Sequence, residues 1–292
     1  MTFFLGVTAG LDPQEARIVA LAAQYVDHNP LTRPVDTTHV GTTVTSLLDN
    51  QPQLLGYHFV LSGADGRTLP QYRNTRLDIV DSPQLANLLA ASRAVGIGRN
   101  ASLQFLGEYL HALADTYSHR DARNRPYDAL VLGCGLGHGL DGHEPDLTYD
   151  GFPTWTGGSG VTVPIGRTPW RREARTLAME LDLHGVLLAV GDPARARAAG
   201  EIEATLREFN ALRENESTPG GFSQKIDLLQ SRLAALGYGH LDLRNEDLYG
   251  YSEDDARTNR LVFLRHQENG TPFREEDFPG VCLEGGARCR TR

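Results

Sequence analysis

The feature that most constrains this chain is the segment Leu106–His119, which reads LGEYLHALADTYSH. It places His111, Asp115 and His119 at successive intervals of four residues. Because an α-helix turns about 100° per residue, side chains four positions apart project from one face, one turn apart. Neutral imidazole and carboxylate are both ligands of Zn²⁺, so this helix predicts a metal site. The alternative is a solvated polar stripe on an amphipathic helix.

A second group of ligand-type residues lies in the glycine-rich segment 133–150. Glycine permits tight turns, so closely spaced side chains in such a segment can converge on one centre. The alternative is a flexible acidic loop, but the density of metal-ligand residue types favours a contribution to the metal site. The candidates in this segment are His138, Asp141, His143, Glu144 and Asp146.

Further candidates lie upstream of the metal helix. Asp27 and His28 follow the C-terminal end of a predicted helix. A histidine at that position is also explained by a favourable interaction with the helix dipole, so Asp27 is the favoured ligand. His39 and His58 lie in the irregular segment 31–81. His58 sits in a short apolar run, where it is either a core histidine or a ligand supplied by a functional loop.

Apolar periodicity and capping residues predict an all-α chain. Residues 152–166 are expected to form a loop or a small hairpin over the site. We expect a metal-binding helical domain over residues 1–192, and a C-terminal helical extension over residues 193–292 packed on the same core. The first helix is predicted to end near Val26 and the last near His266. The predicted helix starts are Asp12, Ser82, Asn100, Thr168, Asp192, Ser223 and Ser252.

The composition limits the partners of the chain. Its formal net charge of −9 over 292 residues disfavours duplex nucleic acid. No run of 18 apolar residues is present, so we expect no transmembrane segment. The first 15 residues lack a basic region and a long apolar run, which predicts a cytoplasmic protein, with non-classical export as the alternative.

Four motifs together resemble an uncharacterised bacterial family assigned to the helical fold of the zinc-dependent phospholipase C and P1 nuclease superfamily. They are Gln24-Tyr25-Val26-Asp27, His58-Phe59, the His111/Asp115/His119 helix, and Gly137-His138 followed by Gly142-His143-Glu144-Pro145-Asp146. The resemblance covers roughly residues 3–190. It implies a multi-helix domain with long metal-binding loops. The ligand set that it implies is Asp27, His58, His111, Asp115, His119, His138, His143 and Asp146.

The resemblance implies a metal-dependent hydrolase of a phosphoester bond that acts through metal-activated water. We expect two or three zinc ions, with manganese or iron as alternatives, and a small-molecule or lipid-like phosphoester substrate. Asp141 and Glu144 are the candidate carboxylates that orient water or protonate the leaving group. Two other classes stay open, namely a helical di-iron oxidase or oxygenase, and a non-catalytic metal-stabilised interaction or toxin module.

Overall fold

The computed structural model is a set of packed α-helices with one short antiparallel hairpin. It describes residues 1–34, 53–58, 60, 82–120, 147–152, 154–156, 162–164, 169–214, 220–244 and 251–281. This part of the chain is mostly helical, which confirms the all-α expectation at that level. The helices are α1 Thr2–Thr8, α2 Pro13–Tyr25, α3 Pro83–Ser92, α4 Gly98–Ser118, α5 Glu173–Leu188, α6 Ala199–Ala211, α7 Ser223–Leu233 and α8 Glu253–Asn269.

Shorter elements connect these helices. The segment Leu54–His58 forms a π-helical turn, a second such turn, Ala234–Tyr238, continues α7, and Glu275–Asp277 is a turn of 3₁₀-helix. The strands β1 Thr154–Thr156 and β2 Thr162–Pro164 pair antiparallel. Within the described residues, the hairpin alternative of the prediction for residues 152–166 is therefore confirmed, and its position over the site stays a prediction.

Helix α4 lies at the centre of the fold and packs against α2, α3 and α5. One face of α4 carries an apolar stripe that is buried, so this face packs into the core. The predicted N-cap of this helix, Asn100, was wrong by three residues, because α4 begins at Gly98 with Ile97 as its N-cap. Ile97 is buried in an apolar cluster, so packing sets this start without a side-chain cap. The buried stripe is Leu103, Leu106, Leu110 and Leu113.

Helices α2 and α4 approach each other closely at Gly107. A Cβ atom built at this glycine would lie 2.5 Å from the Val19 carbonyl oxygen and 2.6 Å from the Ala22 Cβ atom. Real side chains cannot occupy such a gap without moving a helix. The missing side chain at Gly107 therefore brings the C-terminal half of α2 against the middle of α4.

The predicted start of α2 is confirmed, since Asp12 forms a capping box with Glu15.

Helix α6 does not start at Asp192, where the sequence predicted it. It begins at Ala199, and the preceding segment instead bonds to the end of α1. The backbone N–H of Asp192 donates to Gly10 O at 3.1 Å, and that of Arg197 donates to Thr8 O at 2.7 Å. The second contact uses the N–H that a helix starting at Pro193 would bond to the Pro193 carbonyl, so tertiary pairing replaces the predicted first turns.

Residues from both predicted parts of the chain contribute to one apolar core. Leu5 and Leu106 belong to the same cluster as Leu206, Leu229 and Leu233. The boundary at residue 192 itself stays a prediction. Among the described helices, none combines the length and apolar character needed to cross a bilayer.

Candidate metal centre

Five of the predicted ligands converge at one place beside α4. His111 and Asp115 lie within that helix, and His119 is its C-cap residue. The His119 backbone N–H still donates to Asp115 O at 2.9 Å, so the helical register continues through the third residue. Asp27 lies in the turn just after α2, and His58 ends the π-helical turn. Three segments that are distant in sequence therefore meet at one cluster.

The donor atoms of the cluster lie within a few ångströms of one another. Asp115 Oδ2 lies 3.1 Å from His58 Nδ1, 3.3 Å from His111 Nε2 and 3.8 Å from His119 Nε2. Asp27 Oδ1 lies 3.7 Å from His58 Nδ1 and 3.6 Å from His111 Nε2. The two nitrogen atoms, His58 Nδ1 and His111 Nε2, are 3.2 Å apart.

Each histidine is held through a hydrogen bond to the protein backbone. His58 Nε2 donates to Thr32 O at 3.0 Å, and His119 Nδ1 donates to His58 O at 2.9 Å. The ring of His111 hydrogen-bonds to the backbone of Ala23. Since a carbonyl oxygen only accepts, the bonded nitrogens of His58 and His119 carry the protons. In a neutral ring the other nitrogen then offers its lone pair to the cluster, as in a metal-ligating histidine.

The turn that carries Asp27 is stabilised by two hydrogen bonds of its own. Thr32 is fully buried, and its hydroxyl donates to Val26 O at 2.8 Å. The Asn29 side chain accepts from the backbone N–H of Leu31 at 3.0 Å, which is a typical Asx turn. The same turn therefore places the Asp27 carboxylate in the cluster and supplies, through Thr32, the carbonyl that orients His58.

The charges of the cluster shift two pKa values in opposite directions. Burial alone lowers the pKa of His111, but its charge interaction and hydrogen bond with Asp115, helped by Asp27, raise that pKa to about 9. Burial alone raises the pKa of Asp115, but the charges of His111 and His119 hold it well below its usual range. The cluster thus strongly favours a positive charge placed between its nitrogen and carboxylate atoms.

The geometry fits a zinc ion. With bonds of about 2.0–2.1 Å, a tetrahedral ion separates neighbouring ligand atoms by about 3.3 Å. Asp27 Oδ1, His58 Nδ1 and His111 Nε2 lie 3.2 to 3.7 Å from one another, and Asp115 Oδ2 lies 3.1 and 3.3 Å from the two nitrogens. Asp27, His58 and His111 alone already form a group of donor atoms that can hold an ion.

Exposure differs across the cluster. The side chains of His58, His119, His111 and Asp115 are 3%, 10%, 12% and 14% exposed, whereas that of Asp27 is 41% exposed. The cluster is therefore buried on the α4 side and reaches solvent at Asp27. Catalytic zinc sites keep an open position, whereas structural sites are enclosed by protein ligands.

The remaining predicted site residues fall in two groups. His28 is exposed and does not belong to the group of donor atoms around Asp27. His39 and the candidates of the glycine-rich segment lie outside the described residues, so their roles stay predictions. Those candidates are the ligands His138, His143 and Asp146 and the carboxylates Asp141 and Glu144.

The sequence did not reveal the residues that orient the ligands. Thr32 and Ala23 contribute through their backbones, and backbone groups leave no signature in side-chain spacing. The only local signal is the turn chemistry of the Asn29-Pro30-Leu31-Thr32 segment.

The fold and the cluster together define a mostly helical protein with a histidine–carboxylate centre on its central helix. Residues 1–123 of the chain are similar to a family described as "Family of unknown function (DUF6765)". That segment is less than half of the chain, yet it contains all five residues of the cluster. No curated protein matches the chain, and no solved structure does.

Proposed function

We propose that this protein is a metal-dependent hydrolase of phosphoester bonds, with zinc as the favoured metal. One observation carries the proposal most directly: the nitrogen atoms His58 Nδ1 and His111 Nε2 lie 3.2 Å apart, beside the carboxylates of Asp27 and Asp115. Two nitrogens this close share either a proton, as in a hydrogen bond, or a metal cation, and the two carboxylates supply the negative charge and the further ligands that a cation needs. Zinc is the cation that this mixture of nitrogen and oxygen donors suits well.

The two carboxylates of the cluster lie at different positions and therefore have different proposed roles. Asp115 lies within 3.8 Å of all three histidine nitrogens and balances positive charge inside the fold. Asp27 lies at the solvent side, where a substrate can approach. A metal bound here would act as a Lewis acid towards a phosphoryl oxygen and would lower the pKa of water. The carboxylates Asp141 and Glu144 remain the candidates for proton transfer at the leaving group.

The proposed substrate is a small or lipid-like phosphoester. The net charge of −9 disfavours long nucleic acids, whose binding depends on contacts between phosphates and cationic side chains. The exposure of Asp27 favours an open catalytic site over an enclosed structural one, which supports an enzyme over a purely metal-stabilised module.

The test combines metal analysis with a substrate panel. The protein is stripped with a chelator and restored with zinc, manganese or iron, then assayed on p-nitrophenyl phosphate, bis-p-nitrophenyl phosphate and phosphatidylcholine micelles. We expect hydrolysis that chelation removes and that Asp115→Asn lowers at least about 100-fold, because even residues outside the ligand shell change activity by 10–100-fold. His28→Asn is the matched control, since this neighbouring histidine is exposed and should not affect the activity.

Two results would contradict the proposal. If no substrate of the panel is hydrolysed after zinc, manganese or iron is restored, the protein is not the proposed hydrolase. Oxygen consumption by the iron form would then favour the oxidase alternative. Metal content unchanged by Asp115→Asn would show that the metal does not bind at this cluster.

A further inference from the structure

A buried ion pair links the C-terminal helix α8 to the metal helix α4. The guanidinium of Arg260 on α8 contacts the carboxylate of Glu108 on α4, and both side chains are only 4% exposed. Glu108 lies three residues before His111, so the pair lies about one helical turn from the metal cluster. The two residues are 152 positions apart in sequence.

Neutral side chains extend this contact into a network. Gln104 Nε2 donates to Glu108 Oε1 at 2.9 Å and to Ala256 O at 2.8 Å. Asn259 Nδ2 donates to Gln104 Oε1 at 2.8 Å. The network therefore fixes α8 on α4 in one rotation and one register, because its donors and acceptors match at only one alignment.

The same C-terminal segment contacts the other two ligand-bearing segments. The Arg260 guanidinium lies 5.9 Å from the ring centre of Tyr57, the residue before His58. Tyr251 packs edge-on against Tyr25, with ring centres 5.9 Å apart, and Tyr25 lies two residues before Asp27. Tyr251, which lies just before α8, and Arg260, which lies within α8, thus together contact all three chain segments that carry the cluster.

We propose that Arg260 is a positioning residue of the metal centre and that α8 completes the site from outside residues 1–123. The proposal rests on the metal site of the proposed function. Arg260 does not reach the metal ligands themselves but holds Glu108 and faces Tyr57, and so sets the spacing between His111 and His58. The segment similar to the family of unknown function therefore carries the ligands, and the C-terminal region aligns them.

The chemistry of the pair favours positioning over simple stabilisation. Two charges lose most of their hydration when they are buried. A protein in which apolar residues replace such an ion pair is therefore often at least as stable as the original. Within the described residues, Arg260 Nε and Asn259 Oδ1 also have no hydrogen-bond partner, so the network is not fully satisfied. Arginine contributes a planar, directional fork, which is suited to fixing geometry.

The experiment measures zinc affinity by competition with a chromophoric chelator, and the visible spectrum of the Co²⁺-substituted protein. The double variant Glu108→Gln/Arg260→Met removes both charges at similar volume and should keep the fold. We expect a 10–100-fold loss of zinc affinity, as for other residues that orient ligands, and a changed Co²⁺ spectrum. Arg260→Lys should lose about 10-fold, because an ammonium lacks the planar fork.

The control is Leu206→Ala, a fully buried position on α6, a helix that packs against α5 and α7. It should lower the melting temperature but leave zinc affinity and the Co²⁺ spectrum unchanged. If the wild-type protein binds no zinc, the metal site itself fails. If the wild type binds and either Arg260 variant that folds keeps wild-type affinity and spectrum, the positioning role is overturned.

Discussion

His184 is a fully buried side chain on α5, and neither of its ring nitrogens makes a hydrogen bond of good geometry within the described residues. Burial lowers its pKa, and the nearby backbone of Thr8 offsets only part of that shift. The unfolded chain therefore binds a proton here more readily than the folded protein does. By linkage, this site lowers the free energy of unfolding as pH falls through the unfolded value, about 6.5.

We therefore predict that His184→Leu reduces the loss of stability between pH 7.5 and pH 5.5. Urea unfolding curves in the presence of chelator, recorded for both proteins at both pH values, isolate the contribution of this side chain. His240→Gln is the control, because His240 is exposed. An equal pH dependence in wild type and His184→Leu would show that His184 titrates alike in the folded and unfolded states.

At the same scale, the ligands differ in how far the sequence could predict them. His111, Asp115 and His119 follow from the helical period alone, since a four-residue interval fixes one face. The positions of Asp27 and His58 depend on the turn braced by Thr32 and on a π-helical turn. Neither feature has a periodic signature, so the residues alone indicated Asp27 and His58 only as candidates, and the family resemblance assigned them to the ligand set.

At the scale of elements, the contact of α2 with α4 decides whether Asp27 reaches His111. Gly107→Ala places a Cβ atom 2.5 Å from the Val19 carbonyl oxygen, and one of the two helices must move. We predict a net destabilisation of about 1–3 kcal/mol from overpacking, despite the higher helix propensity of alanine. Zinc affinity should fall as well, because the shift separates the two ligand-bearing helices.

The matched control is Gly185→Ala on α5. A Cβ atom at Gly185 meets nothing within 4 Å, so this change should stabilise the protein by roughly 0.5–1 kcal/mol. Chemical denaturation measures both effects. A Gly107→Ala variant as stable as the Gly185→Ala variant, with unchanged zinc affinity, would contradict the proposed close approach.

The helix starts were also predictable where neighbouring residues determine them and not where tertiary contacts do. Helix α2 starts where Asp12 and Pro13 predict, because its capping box is made by neighbouring residues. The N-cap of α6 is Ala198, six residues later than the predicted Asp192, because Asp192 and Arg197 pair with the end of α1. The short helix α1 was not predicted, since seven residues carry too little periodicity.

At the scale of the whole molecule, the candidate centre is a junction between distant parts of the chain. Its ligands come from residues 27, 58 and 111–119, and Arg260 of α8 pairs with Glu108, about one helical turn before His111. The sequence predicted that the C-terminal region shares the core, but it could not predict the Glu108–Arg260 pair. Nothing local links two residues 152 positions apart, and only the folded structure reveals their contact.

The most direct test of the central claim is anomalous diffraction at the zinc absorption edge from crystals of the zinc-loaded protein. We predict an anomalous peak about 2.0–2.1 Å from both His58 Nδ1 and His111 Nε2, with carboxylate oxygens of Asp115 and Asp27 completing the same site. Crystals of Asp115→Asn grown in the same way should show a weaker peak or none. A zinc-loaded crystal with no peak between His58 and His111 would contradict the account.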